Sequence, residues 1–295
     1  MNTLRGVFLV TFSMAAFSVE DALVKHLTES LAVGQVLFSV GLGGAAIYLV
    51  LALRAGHRNP LAVLADRAVL VRTLSEMVST VTFVTALSLV PLSTVAAVFQ
   101  ATPLAVTAGA ALFLGEVVGW RRWTAISVGF AGVLMIIRPG FAGFQPASML
   151  VLVTVAAIAL RDLVTRRVPA HIPSLLVAFH GFSALVAAGA LLLALGQPAR
   201  MPAPGDWLGL AAAIGFAAAG YYAIVAAMRL ADASALMPFR YARLVFSLIL
   251  GVAIFAERPD ALTLAGAAVI LAAAFYSYRR ERRLARAAAA APGPA

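Results

Sequence analysis

The residues of this sequence that are best able to do chemistry are charged side chains inside long apolar segments. They are Glu20, Asp21, Glu76, Arg161, Asp162, Arg240 and Arg243. A charge at the centre of a bilayer costs roughly 2.5–3.5 kcal/mol on insertion scales, so each of these side chains should face a cavity or an oppositely charged partner. Ionic groups placed in this way are typical of a path for a polar solute.

The composition indicates a polytopic membrane protein. The 295 residues are 63% hydrophobic and only 12% charged, and the mean hydropathy is +0.99. The absence of cysteine excludes disulfides and thiolate metal sites, and the four histidines lack ligand spacing, so no metal and no cofactor are predicted. The net charge of +10 is attributed to loops and a basic tail at a lipid surface, so no nucleic-acid partner is expected.

Apolar segments of about 17 to 25 residues, bounded by charged or Gly/Pro-rich breaks, predict the membrane helices. Only helices are expected, because backbone groups must be satisfied internally in hydrocarbon. Ten spans are predicted, near Leu4–Val24, Ala32–Leu53, Ala68–Val90, Leu92–Leu114, Trp123–Ile137, Ala147–Thr165, Ser174–Leu195, Trp207–Met228, Ala233–Phe255 and Leu262–Tyr278.

The chain repeats itself at an offset of 141 residues, at which Asp21 falls on Asp162 and Glu116 on Glu257. Each half holds five predicted spans, an odd number, so the second half must start from the opposite side of the membrane. The predicted fold is therefore all-α and integral to the membrane, with ten transmembrane helices in two inverted five-helix repeats around a central cavity. The predicted units are residues 1–141, residues 142–282 and a basic, disordered cytoplasmic tail at 283–295.

The basic residues predict the orientation, because short loops rich in Lys and Arg stay in the cytoplasm. With the N-terminus inside, fifteen of the 22 Lys and Arg residues lie inside and four outside. Both termini are therefore expected in the cytoplasm. Small-residue runs such as Gly41–Gly44 and Gly129–Gly132 should let helices pack closely within one protomer, and a monomer is expected.

Depth along the predicted helices groups the charges. Those expected together in the cytoplasmic half are Glu76, Arg161, Asp162, Arg240 and Arg243. This network has two open interpretations: an inner gate that breaks and reforms, or a permanent buried ion-pair cluster. Glu20 and Asp21 are expected near the outer surface, where a charge can reach water. Asp21 is nevertheless a candidate for a carboxylate that carries a coupling proton.

Polar and aromatic residues on the helix faces predict a substrate cavity. At the internal offset Gln100 corresponds to Tyr241, so the two halves would present an amide and a phenol at related places. The other candidates for the cavity are Ser79, Phe83, Thr107 and His180. Alternatives stay open for three of them: Ser79 and Thr107 could bond to a carbonyl one turn back, and His180 could be a packing residue rather than a proton-linked switch.

The ends of the two halves carry a family resemblance. Leu114-Gly115-Glu116, followed by the small-residue helix Trp123–Val133, resembles the EamA-type module of the drug/metabolite transporter superfamily, and Phe255-Ala256-Glu257 repeats it more loosely. Within that superfamily the chain looks most similar to bacterial YddG-type exporters of amino acids. The resemblance implies a ten-helix carrier of the bacterial cytoplasmic membrane.

The predicted function is secondary transport. The resemblance implies export of small organic metabolites by alternating access, with aromatic and other neutral amino acids as the expected substrates, by facilitated diffusion or proton linkage. The alternative within this class is an anionic or phosphorylated metabolite, or a drug, bound by Arg240 and Arg243 as a clamp. An enzyme is not predicted, because no Ser/His/Asp constellation or nucleotide-binding loop occurs. A scaffold or receptor is the remaining alternative.

Overall fold

A computed structural model describes residues 2–57, 59–116, 118–141, 144–169, 171–230 and 233–290. Within these ranges the regular secondary structure is helical, without strands. The α-helices are α1 Asn2–Ser30, α2 Val33–Arg54, α3 Arg67–Leu89, α4 Leu92–Phe99, α5 Thr102–Phe113, α6 Trp120–Ile137, α7 Met149–Thr165, α8 Ser174–Ala194, α9 Pro204–Leu230, α10 Ala233–Arg240, α11 Ala242–Phe255 and α12 Ala261–Ala290. Short 3-10 turns lie at Pro60–Ala65 and Pro146–Ser148.

Nine segments of the described chain are long and apolar enough to cross a membrane. The helices α4 and α5 together form one of them, and α6 is not among the nine. The first turn of α6 contains Arg121 and Arg122, which lower its hydropathy. The prediction of a multi-pass helical membrane protein agrees with the structure, whereas the tenth span and the inverted repeat stay predictions.

Two predicted spans are interrupted. The span predicted at Leu92–Leu114 breaks at Gln100 and Ala101, and the span predicted at Ala233–Phe255 breaks at Tyr241. Pro103 explains the first break, because its ring clashes with the carbonyl four residues earlier, at Phe99, where α4 ends. The second break comes one turn after Pro238, and the Tyr241 amide donates to the Pro238 carbonyl at 3.4 Å. Arg240 and Arg243 therefore lie on different helices.

The helices pack in pairs through small residues. The most extensive contacts join α1 to α9, α2 to α8, α3 to α7 and α6 to α12. At the last of these, a Cβ added to Gly266 would lie 2.6 Å from the Gly132 carbonyl oxygen, so only glycine permits this approach. A Cβ on Gly41 would lie 2.7 Å from Leu185 in α8. The prediction that glycines bring helices together within one protomer agrees with these contacts.

The helix α12 continues further than predicted. It extends to Ala290, so the prediction of a disordered tail from residue 283 was wrong for residues 283–290. Alanine and arginine are among the strongest helix formers, which explains the continuation. The rest of the predicted tail, residues 291–295, lies outside the described residues.

Candidate functional site

The two helix breaks lie against each other. The Gln100 side-chain amide donates to the Tyr241 carbonyl oxygen at 3.3 Å, and Gln100 is 7% exposed. Interrupted helices within a membrane leave backbone groups unpaired, and these are tolerated only inside protein or beside a cavity. Gln100 and Tyr241, which correspond at the internal offset, are therefore in contact through the Tyr241 backbone, and their role in a substrate cavity stays a prediction.

Next to these breaks, Asp21 of α1 binds Arg243 of α11. Arg243 Nη2 lies 2.9 Å from Asp21 Oδ1 and 2.7 Å from Oδ2, and Arg243 Nε lies 3.1 Å from Oδ2. The Asp21 side chain is 7% exposed and the Arg243 side chain 18%. The Arg243 side chain is therefore the more accessible of the two.

This pair corrects the predicted depths. Asp21 was expected near the outer surface, and Arg243 was expected in the cytoplasmic half with Glu76 and Asp162. The first span was expected to end near Val24, but α1 continues to Ser30. Asp21 therefore lies nine residues, or roughly 14 Å, before the end of its helix.

Three aromatic rings surround the guanidinium. Arg243 Cζ lies 4.9 Å from the ring centre of Phe99, 5.4 Å from that of Phe17 and 5.9 Å from that of Phe83. The rings come from α1, α3 and α4, and those of Phe83 and Phe99 also contact each other at 5.3 Å. Each ring lies within the range of a cation–π interaction. We call Asp21, Arg243 and these three phenylalanines the ion-pair site.

Serine side chains connect the start of α11 to α1 beside the ion-pair site. The Ser18 hydroxyl donates to the Arg243 carbonyl oxygen at 3.1 Å, and the Ser247 hydroxyl donates to Ser18 Oγ at 3.2 Å. Both serines are fully buried. The backbone of Arg243 is thus fixed to α1 by a hydrogen bond that does not involve the guanidinium.

A second set of charges, the Glu76 cluster, connects α3 to α7. Arg161 Nη1 lies 3.1 Å from both Glu76 oxygens, and Arg161 Nη2 lies 2.8 Å from Asp162 Oδ1. Arg72 lies 3.8 Å from Glu76. The structure therefore brings Glu76, Arg161 and Asp162 together. Arg240 lies at the end of α10.

The other predicted cavity residues divide into two groups. Phe83 lies in the ion-pair site, whereas Ser79 and Thr107 donate to the carbonyls of Glu76 and Pro103, within their own helices. His180 is fully buried, and its Nε2 lies 2.9 Å from the Pro60 carbonyl oxygen in the α2–α3 connection. The hydrogen bonds of Ser79, Thr107 and His180 to backbone carbonyls thus agree with the alternative interpretation, in which these residues have structural roles.

Sequence reasoning missed Phe17 and Phe99 as neighbours of the charges. Phe17 precedes Asp21 by four residues, so the two share a face of α1, and Phe99 precedes Gln100 at the helix break. Helical spacing alone therefore carried a signal for Phe17. Nothing in the sequence of α4 indicates that Phe99 contacts Arg243, because this contact depends on how α4 packs against α11.

The α3–α4 turn is capped by two charged residues from other helices. Lys25 Nζ donates to the carbonyls of Leu87 and Val90 at 2.8 and 2.7 Å. The Glu257 carboxylate accepts from the amides of Leu92 and Ser93 at 2.5 and 2.9 Å. These bonds satisfy the ends of both helices and compensate their dipoles. Within the described residues no group of His, Asp and Glu converges as metal ligands would.

Comparisons with known proteins agree with this architecture. The EamA-like transporter family matches residues 4–138 and 145–279. The chain is similar to the S-adenosylmethionine uptake transporter of Rickettsia felis, at 26% identity over 95% of this chain and 94% of that protein. It is 32% identical to the riboflavin transporter of Vibrio cholerae over 64% of this chain and 65% of that protein. It is 27% identical to the pseudopaline exporter CntI of Pseudomonas aeruginosa over 91% of this chain and 94% of that protein.

A solved crystal structure has the same fold, with a TM-score of 0.63, 24% identity, and coverage of 96% of this chain and 98% of that chain. The family match extends over both halves and confirms the family predicted from the sequence. The family and the named relatives are transporters, not enzymes. The chain is therefore a multi-pass integral membrane transporter that belongs to the EamA-like transporter family, within the drug/metabolite transporter superfamily.

Proposed function

We propose that this transporter is a secondary carrier of small organic metabolites without net charge, with neutral amino acids as its first candidates. The observation that carries the proposal is the pairing of interior charges. Arg243 is bound by Asp21, and Arg161 by Glu76 and Asp162. An interior in which Arg161 and Arg243 already have carboxylate partners favours a solute that adds no net charge.

We propose alternating access between two inverted repeats, residues 1–141 and 142–282, as the mechanism. The pairing of helices supports it. In the proposed repeat, α1 corresponds to α7, α2 to α8, α3 to α9 and α6 to α12. Under this correspondence the α1–α9 contact is equivalent to the α3–α7 contact, and the α2–α8 and α6–α12 contacts are each equivalent to themselves. The helix breaks at Gln100 and Tyr241, 141 positions apart, support it further. Carriers of this kind bind their substrate at the repeat interface, between discontinuous helices.

The direction of transport follows from the solute gradient in such a carrier. The relatives include an uptake transporter and an exporter, so the family itself accommodates both directions. We propose export from the bacterial cytoplasm across the inner membrane, driven by accumulation of the metabolite in the cell. The protein would work as a monomer, with both termini in the cytoplasm.

The alternative is an anionic metabolite bound by Arg240 and Arg243. Their position in the chain favours it: Arg240 ends α10 and Arg243 lies in the first turn of α11, on the two sides of the break at Tyr241. Such a ligand would have to displace Asp21 from Arg243 and would leave a buried carboxylate without its partner, which is costly. The net-neutral class is therefore the stronger proposal.

Counterflow in proteoliposomes tests the substrate class. The purified protein is reconstituted with unlabelled solute inside, and entry of labelled phenylalanine, threonine and methionine is measured with and without a pH gradient. Saturable counterflow of at least one of these amino acids, above protein-free liposomes, is the expected result. Counterflow that responds to the gradient would indicate proton coupling. If folded protein exchanges no amino acid but exchanges a phosphorylated metabolite, the alternative replaces the proposal.

The Glu76 cluster is proposed as a gate, because it connects α3 to α7 between the two halves. The variant Glu76→Gln removes the carboxylate that Arg161 binds and keeps the shape of the side chain. We expect it to alter the rate of counterflow while the protein remains folded by size-exclusion chromatography. An unchanged rate in the folded variant would assign the cluster to stability alone.

A further inference from the structure

We propose that the ion-pair site is the place where the substrate binds, and that it recognises a zwitterion by exchanging ion-pair partners. The substrate carboxylate would bind the Arg243 guanidinium, and the substrate ammonium would bind Asp21 and the rings of Phe17, Phe83 and Phe99. This inference rests on the proposed function and names its substrate class: molecules with an α-amino-acid group.

The surroundings of Arg243 are those of a binding site for an organic cation. One carboxylate lies 2.7 Å from the guanidinium, and three aromatic rings lie 4.9–5.9 Å from Arg243 Cζ. A carboxylate and aromatic faces are the groups that recognise an ammonium ion. Arg243 therefore occupies a cation site from within the protein, and a substrate ammonium of smaller size fits the same partners.

The accessibility of the two charges gives an order to the exchange. The Arg243 side chain is 18% exposed and that of Asp21 only 7%, so we expect an incoming solute to meet the Arg243 side chain first. A carboxylate can bind the guanidinium through two parallel hydrogen bonds. As Arg243 turns to this carboxylate, Asp21 and the rings become free for the ammonium.

Charge balance explains why a zwitterion suits the site. Asp21 and Arg243 are neutral together, and a bound zwitterion leaves each of the four charges with an opposite partner. A solute with only a carboxylate would leave Asp21 unpaired, and one with only an ammonium would leave Arg243 unpaired. An unpaired charge in a buried site is strongly unfavourable. The pair therefore selects for both groups at once.

The position of the pair connects binding to motion. Asp21 lies on α1, and Arg243 is the second residue of α11, directly after the break at Tyr241. The Arg243 backbone stays bonded to Ser18 of α1, so the side chain can exchange partners while the helix start remains in place. A substrate bound to both Asp21 and Arg243 would bridge α1 and α11.

Competition by charge-deleted analogues tests the exchange. The probes are phenylalanine, its amide, which has the ammonium but no carboxylate, and 3-phenylpropionate, which has the carboxylate but no ammonium. Inhibition of counterflow and ligand-induced shifts in melting temperature are measured on the full-length protein. For the wild type we expect both analogues to bind roughly 30-fold more weakly than phenylalanine, or weaker still, because each leaves one buried charge without its partner.

Two variants should change the ranking in opposite directions. Asp21→Asn should lose the preference for phenylalanine over 3-phenylpropionate, and Arg243→Gln should lose the preference for phenylalanine over its amide. Arg166→Gln is the matched control, since Arg166 pairs with Glu116 where both side chains are about half exposed. It should keep the wild-type ranking. If a single variant does not fold, the double variant Asp21→Asn/Arg243→Gln removes both charges of the pair and should lose both preferences.

The outcomes separate the inference from the proposed function. Saturable amino-acid counterflow without zwitterion preference, or variants that lower affinity for all three probes equally, would overturn the ion-pair site and leave the carrier intact. Zwitterion-specific thermal shifts without counterflow would support the site and overturn the carrier. A folded wild type that neither transports nor binds the probes would overturn both.

Discussion

At the scale of single residues, the role of a charged side chain depends on the residue with which it pairs. Asp21 looked like a surface charge or a free proton carrier, but in the structure it is the bidentate partner of Arg243. The same holds outside the membrane spans, where Arg138, at the end of α6, donates to Asp260, the residue before α12. Two further residue positions have effects that can be measured without a substrate.

The Arg138–Asp260 pair predicts a dependence of stability on pH. The Arg138 hydrogen bond, together with the Thr263 amide, holds the pKa of the Asp260 carboxyl below its usual value. A lowered folded-state pKa stabilises the protein above the unfolded pKa of about 3.9, and this stabilisation is lost as the pH falls through the folded pKa. We expect Asp260→Asn, which keeps the cap on the Thr263 amide, to melt below the wild type at pH 7.

The difference between the two melting temperatures should stay constant from pH 7 to about 4.5 and shrink as the pH is lowered below about 3.9 towards about 2. Melting of the detergent-purified proteins, followed by intrinsic fluorescence, measures it. A difference that stays constant down to about pH 2 would show that the charge of Asp260 contributes nothing.

A second residue-scale prediction concerns Ala256. Ala256 has a φ of 51°, in the left-handed region, and Gly115 at the related position has a φ of 69°. A residue with a Cβ pays roughly 1–2 kcal/mol for this conformation, whereas glycine adopts it freely. We expect Ala256→Gly to stabilise the protein by about 1 kcal/mol. Gly115→Ala should destabilise it, and a raised melting temperature for Gly115→Ala would contradict the argument.

At the scale of helices, small residues determine which faces meet. Gly132 of α6 and Gly266 of α12 bring their backbones into contact, and glycines of α2 do the same against α8. In a membrane this close packing takes the place of the hydrophobic drive between helices.

The contact between α6 and α12 predicts a clear effect of one methyl group. A Cβ on residue 266 would lie 2.6 Å from the Gly132 carbonyl oxygen, so Gly266→Ala forces the helices apart. We expect a loss of roughly 1–3 kcal/mol, as for other overpacked cores. The control is Gly215→Ala in α9, where nothing lies within 4 Å and the change should be neutral or slightly stabilising. Equal melting temperatures for the two variants would refute the close contact.

Much of the arrangement of helices and their contact faces could be predicted from the sequence. The apolar segments gave most helices within a few residues, and Gly41–Gly44 and Gly129–Gly132 marked real contact faces. Pro103 and Pro238 indicate a kink or a helix start in the fourth and ninth spans, but they do not give the residue at which each helix ends, because prolines are tolerated in many membrane helices when neighbours satisfy the freed groups. The extension of α1 to Ser30 was missed because Glu20 and Asp21 resembled the polar end of a span.

At the scale of the whole molecule, the proposed orientation predicts which loops are accessible from each side. The sequence contains no cysteine, so single-cysteine variants need no further change. In intact cells a membrane-impermeant maleimide should label Ala199→Cys, in the α8–α9 connection, and not Gly119→Cys, before α6. After cell lysis both should be labelled. Labelling of only Gly119→Cys in intact cells would reverse the orientation.

The sequence by itself determined that this is a helical membrane transporter of the EamA-like family and that both halves of the chain carry charges within apolar segments. Hydropathy, sequence motifs and the internal offset are local or periodic properties of the chain, so they can be recognised without knowing how the helices pack. Only the tertiary structure decided that Asp21 binds Arg243, 222 positions away, and that rings from α1, α3 and α4 surround the guanidinium. The physical reason is that a buried charge must find a partner, but the choice among partners depends on which helix faces pack together.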